Sequence, residues 1–128
     1  MKRTTKDWVH KAEDDFQLAS QTAVGTPAYH DQVCFHCQQA AEKYLKALLD
    51  DLGQTIPKTH DLDLLFNLLL PTYSTLRSLR RALSALSDFA VAVRYPGKRA
   101  TKRQANACLR WALKARNACR TILGLPTT

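Results

Sequence analysis
Apolar residues recur at steps of three and four along most of the chain, and Gly or Pro interrupts the pattern at five places. That period puts one side chain per turn on a common helix face. In the first run Val9, Ala12, Phe16, Ala19 and Ala23 carry it, predicting a helix over residues 6–22 with Thr4 or Thr5 as its cap. The longest helix is expected over residues 28–52, where Gly53 can end it in the left-handed conformation. A short third helix over 60–70 has Thr59 at the cap position, with Asp61 and Asp63 in the first turn, where the helix dipole favours carboxylates. Leu76, Leu79, Leu83, Leu86, Ala90 and Val93 form the seam of a fourth helix over 76–94. A fifth, over 101–123, repeats that seam with smaller residues: Ala105, Cys108, Ala112, Ala115, Cys119 and Ile122.

No segment alternates apolar and polar residues as a half-buried strand would. The expected fold is all-α: an up-and-down four-helix bundle with an additional short helix, one domain over 1–128 with its core at about 6–123. The longest apolar block, residues 62–70, is about half the roughly 18 residues of a membrane span and includes Asp63 and Asn67. The basic first residues are followed by no apolar signal-peptide core. A cytoplasmic protein with free thiols and no membrane partner is expected.

The stretch CFHCQQAAEKYLKALL, residues 34–49, opens with two cysteines at metal-ligand spacing. On a continuous helix Cys34 and Cys37 share a face, about 4.5 Å apart in rise. A structural zinc needs four ligands. Cys108 and Cys119 are about 16 Å apart along one helix, so they cannot complete the set together. A redox pair would want a helix N-terminus, whereas Cys34 lies about two turns inside. Cys34, Cys37, Ala41, Tyr44 (or Leu45) and Leu48 make one apolar stripe. The thiols therefore read as core, with no metal and no cofactor. On the same helix His36, Gln39, Lys43 and Lys46 share a polar face, with Gln38 and Glu42 on its flank. Such a face is either a solvated exterior or a strip turned to a cleft or a second subunit.

Charge adds a second signal. Residues 1–70 hold seven Lys/Arg against ten Asp/Glu, while residues 71–128 hold twelve against the single acid Asp88. A split this sharp suits an anionic partner, RNA or nucleotide phosphate, or else a merely solubilising charge. Arg94, Lys98, Arg99, Lys102 and Arg103 put five cations into ten residues, around a Pro-Gly turn and a helix start. The dipole disfavours cations there, whereas a phosphate would be drawn by them and by free backbone N–H groups. Arg110, Lys114 and Arg120 extend the basic face of the last helix. Beside the seam of the fourth helix, Ala85, Phe89 and Ala92 form a second apolar stripe, so a homodimer is expected.

Four pieces, DWVHKAEDDFQLA, CFHCQQAAEKYLKALL, KTHDLDLLFNLL and RYPG, occur in an order and spacing that resemble the HEPN family over about residues 6–123. The name denotes a domain of higher eukaryotes and prokaryotes associated with nucleotide binding. The resemblance implies a small helical homodimer of a prokaryotic cytosol. Such proteins are often encoded beside a minimal nucleotidyltransferase, and many such pairs are toxin–antitoxin or defence systems. It also implies that catalytic members are metal-independent ribonucleases. Their motif is an arginine, a polar residue and a histidine four to six residues beyond the arginine, assembled in a cleft across the dimer. Arg94 matches the arginine and Tyr95 follows it, but no histidine occurs after His60. Metal-free RNA cleavage needs a titrating base and acid, which arginine cannot be at neutral pH, and tyrosine titrates too high. His36 and His60 are the catalytic candidates left beside Arg94, provided that the fold brings one of them to it. His60 also suits a structural role beside its cap.

The leading expectation is a dimeric module that binds RNA or nucleotide phosphate through Arg94, Tyr95, Lys98, Arg99, Lys102, Arg103, Gln39 and Lys43, with a nucleotidyltransferase as the candidate protein partner that the resemblance implies. Its competitors are an endoribonuclease with an altered active site and a protein–protein scaffold that binds no nucleic acid.

Overall fold
Five α-helices, α1 (Arg3–Ala23), α2 (His30–Asp51), α3 (Leu62–Leu69), α4 (Arg80–Ala92) and α5 (Lys102–Ile122), appear in a computed structural model that describes residues 1–128. A 3₁₀ helix, Ser74–Leu79, leads into α4. There is no strand, and the expected all-α bundle with an additional short helix is the observed architecture. No helix is long and apolar enough to cross a membrane.

Helix α2 is the hub and packs against every other α-helix. Thirteen of its 22 residues are buried, more than a single stripe can supply. The expected stripe of Cys34, Cys37, Ala41, Tyr44, Leu45 and Leu48 lies wholly within the core. The surplus includes Gln38, Glu42 and Lys46, so that part of the polar face is interior rather than solvated. On α5 the seam Ala105, Cys108, Ala112, Ala115 and Cys119 is buried, and these small side chains let α5 lie close against α2. All four cysteines are buried free thiols. No group of three or more His, Cys, Asp or Glu side chains is arranged to hold a metal.

Helix ends differ from expectation where a side chain had a better partner. Helix α1 starts earlier, with Lys2 rather than Thr4 or Thr5 at its cap position. Both threonine hydroxyls instead donate to Asp50 Oδ2, at 2.7 and 2.6 Å, tying the start of α1 to the end of α2. Asp61, not Thr59, caps α3, accepting from the N–H groups of Asp63 and Leu64. His60 accordingly lies before the helix. The expected fourth helix is divided, because residues 74–79 take the tighter 3₁₀ winding; Leu76 and Leu79 are buried within it. Gly53 ends the α2 region as expected, at φ 74, with its N–H on Asp50 O and that of Gln54 on Leu49 O.

The fold is also held by a part-buried ion pair between α5 and α1. Arg116 donates through Nε and Nη2 to the two carboxylate oxygens of Glu13, at 2.7 and 2.9 Å, linking α5 to α1. Tyr44 Oη donates to the same carboxylate and accepts from Arg120. Arg120, expected on the basic face, is thereby committed inward, and its Nε also reaches Pro126 O.

Candidate nucleic-acid interface
Beyond the last turn of α4 the chain reverses through Tyr95-Pro96-Gly97-Lys98, with Lys98 N–H donating to Tyr95 O. Pro96 sets the second position, and Gly97 supplies φ 84 at the third, where a side chain would be strained. The returning strand of loop is pinned to α2: Ala100 N–H donates to Asp31 Oδ1 at 2.7 Å. Thr101 then caps α5 in a capping box with Gln104, each side chain accepting the other's backbone N–H. Three donors near the turn (Ala100, Thr101 and Gln104) are therefore occupied. A phosphate here would meet cationic side chains more than backbone N–H groups.

Those side chains are available. Arg94, Lys98, Arg99, Lys102 and Arg103 are all exposed, and none is engaged in an ion pair or side-chain hydrogen bond. Three of them border different cavities. Arg94 borders a cavity of about 400 Å³ with Phe35, Gln39 and His60. Arg99 borders one of about 350 Å³ over residues 28–32. Lys102 borders one of about 660 Å³ beside the α1–α2 loop. Tyr95, 64% exposed, projects at the turn between them.

The cavity at Arg94 has the most developed chemistry. The guanidinium carbon lies 5.8 Å from the Phe35 ring centroid, a cation–π arrangement. Across the cavity His60 Nδ1 meets Glu42 Oε1 at 2.9 Å. Glu42 is only 3% exposed, and its other oxygen accepts from Lys46 Nζ at 3.0 Å. Lys46 in turn lies over the Trp8 ring. Gln38 fastens the same corner by donating to His60 O at 3.1 Å, and Gln39 donates to Gln38 Oε1. With the carboxylate accepting at Nδ1, the proton of a neutral His60 sits there and Nε2 is left as an acceptor. The imidazole is thus held in one tautomer, while its side chain remains 73% exposed.

The two histidines singled out in the sequence are separated by the fold. His60 joins Arg94, whereas His36 Nδ1 is taken up by Asp15 of α1 at 2.9 Å. Lys43 pairs with the other oxygen of Asp15 and so is committed to the α1–α2 contact. Gln39 lies in the Arg94 cavity. Two members of this site were missed. Phe35 has no signal in sequence beyond its place on the helix. Glu42 had one, the i,i+4 spacing to Lys46, which predicts an ion pair but not its burial.

A model of the HEPN domain matches residues 5–122 of this chain. Two solved structures are similar. The crystal structure of TT1696 from Thermus thermophilus is 22% identical, with 94% of this chain and 98% of that one covered and a TM-score of 0.81. The crystal structure of ST0689, an archaeal HEPN homologue, is 24% identical, with 96% and 99% covered and a TM-score of 0.71. No curated protein matches the chain.

Proposed function
The chain belongs to the HEPN domain family, and we propose that it binds RNA or a nucleotide phosphate along segment 94–103 and the adjoining Arg94 cavity. The observation that carries this reading is the set of five exposed cations without an acidic partner, in a segment anchored through Ala100 to Asp31. Arg94 adds a planar guanidinium beside an aromatic face, a pairing suited to a phosphate next to a base. Tyr95 offers a second exposed ring for stacking.

The binding unit in this proposal is a homodimer. Phe35, Val91 and Tyr95 are exposed apolar side chains close to the Arg94 turn, and a second copy would cover them while doubling the basic surface. Light scattering at micromolar concentration should give about twice the 14.4 kDa of one chain; a monomer would remove this part of the proposal. A minimal nucleotidyltransferase is the protein partner that family membership suggests.

A second reading, metal-independent RNA cleavage, is favoured by one observation: His60, oriented by Glu42, shares a cavity with Arg94. A single histidine would have to act as base and acid in turn. Binding and turnover are separated by incubating clean protein with single-stranded RNA and a chelator. Binding without cleavage is expected. Cleavage lost in both Arg94→Ala and His60→Ala would establish the second reading instead. Absence of RNA and nucleotide binding at low salt would remove both and leave a scaffold.

A further inference from the structure
Two thiols that play no part in the proposed interface face each other across the bundle. Cys34 on α2 and Cys108 on α5 are both fully buried, and Cys108 Sγ donates to Cys34 Sγ at 3.2 Å. They are 74 residues apart in sequence. A disulfide bond is about 2.05 Å long, so the sulfurs need approach by only about 1 Å. The small neighbours on the α5 seam, Ala105 and Ala112, leave the two helices close enough for that. We propose that Cys34 and Cys108 form a modification site, oxidised by a peroxide to an intramolecular disulfide that staples α2 to α5.

The two thiols are not equivalent. The hydrogen bond from Cys108 lowers the Cys34 thiol despite its burial, while the same bond and burial raise that of Cys108. Burial also raises Cys37, one turn along α2, and pushes Cys119 up to about 12. Cys34 is therefore the attacking sulfur. Its thiolate displaces hydroxide from hydrogen peroxide, breaking the O–O bond and forming Cys34–S–OH; the hydroxide takes up the thiol proton as water. The Cys108 sulfur then attacks Cys34, forming S–S, and the hydroxyl leaves with the Cys108 proton as a second water. The two thiols supply the two electrons that reduce the peroxide. Because neither sulfur touches solvent, peroxide enters through local opening of the bundle, and the reaction is slow. The product would fix α2, which carries Phe35 and Asp31, against α5, which carries Lys102 and Arg103, and so hold both anchors of the basic segment.

The test is to expose the folded full chain to hydrogen peroxide without denaturant. Titratable thiols should fall from four to two, with the loss of two hydrogens in mass. Tandem mass spectrometry of non-reduced peptides should join Cys34 to Cys108. The melting temperature should rise by about 5–10 °C, as expected for closing a long loop, and fall back with a dithiol reductant. Cys37→Ala should oxidise as the wild type does, whereas Cys34→Ala and Cys108→Ala should not form the bridge. Four surviving thiols, a Cys34–Cys37 bridge or a bridge between chains would overturn the proposal. The peptide map on the wild type decides the matter even if a variant fails to fold.

Discussion

If segment 94–103 binds RNA as proposed, the salt dependence of that binding follows from its exposed cations. Each phosphate neutralised on a single strand contributes roughly −0.7 to the slope of log affinity against log salt. If Arg94, Lys98, Arg99, Lys102 and Arg103 all engage, the slope is about −3.5. Raising salt from about 50 to about 200 mM then weakens binding on the order of 100-fold. Replacing Arg94 and Arg99 by alanine should flatten the slope to about −2.1, so that the same step costs about 20-fold. Neither side chain is in an ion pair, and both lie outside the helices, so helical content should not change. Fluorescence anisotropy of a labelled single-stranded RNA over a salt series reads the slope, and circular dichroism checks the fold. Arg110→Ala with Lys114→Ala, on the exposed face of α5, should leave the slope near the wild-type value. Equal slopes for the wild type and the Arg94→Ala/Arg99→Ala variant would refute the assignment of the segment.

Three further outcomes follow from the same structure. Asp31→Ala removes a negative charge but also frees Ala100 N–H; the anchoring role predicts weaker RNA binding, whereas net charge alone predicts tighter, so anisotropy distinguishes them. Burial would raise Glu13, but hydrogen bonds from Arg116, Tyr44 and Gln17 outweigh it and hold it at about 2 rather than 4.5. Its folded pKa is depressed, so its contribution is present above about 4.5 and lost as pH falls towards about 2. The full difference is worth about 3 kcal/mol, which screening at a side chain 24% exposed reduces to about 2 kcal/mol. In urea titrations Glu13→Gln should be the less stable protein at pH 7 and should converge with the wild type near pH 2; a gap that ignores pH would contradict this. Finally, a chelator should leave the melting temperature unchanged, since the four thiols are core residues and no metal-binding cluster exists; loss of helix on chelation would overturn that reading.

The bundle was legible because its signal is local and repeated. The seams of α4 and α5 follow from a period of three to four alone, and their residues are buried where the period places them, apart from the half-buried Val93 and Ile122 at the ends. Helix caps were less legible because they are contests between partners. Thr5 has the residue type of a cap, but its hydroxyl is better used on Asp50, 45 residues away, where the alternative would leave a buried polar group unpaired. Similarly, the polar face of α2 has one pattern but three environments. Lys43 and His36 meet Asp15 on α1, Glu42 and Lys46 are buried together, and Gln39 borders the Arg94 cavity. Periodicity fixes which side chains share a face; it does not say what that face meets.

The surroundings of Arg94 illustrate the same limit. Read along the chain, the segment after Arg94 lacks a histidine, and a sequence motif can go no further. In space the chain supplies His60 from the loop before α3, held by a carboxylate that is itself compensated by Lys46. That compensation matters to the chemistry. Lys46 occupies one oxygen of the buried Glu42, which fixes the side chain with its other oxygen on His60 Nδ1. Lys46→Met should therefore loosen His60 without touching it, and the readout is the NMR signals of the His60 ring nitrogens, which report whether Nδ1 stays bonded to Glu42. Loss of the Lys46 contact should weaken the Nδ1 bond, and the His60 ring-nitrogen signals of the variant should move towards those of an unbonded imidazole. Unchanged His60 signals would refute this coupling and mean that Glu42, with Gln38 on the His60 carbonyl, holds the histidine without Lys46.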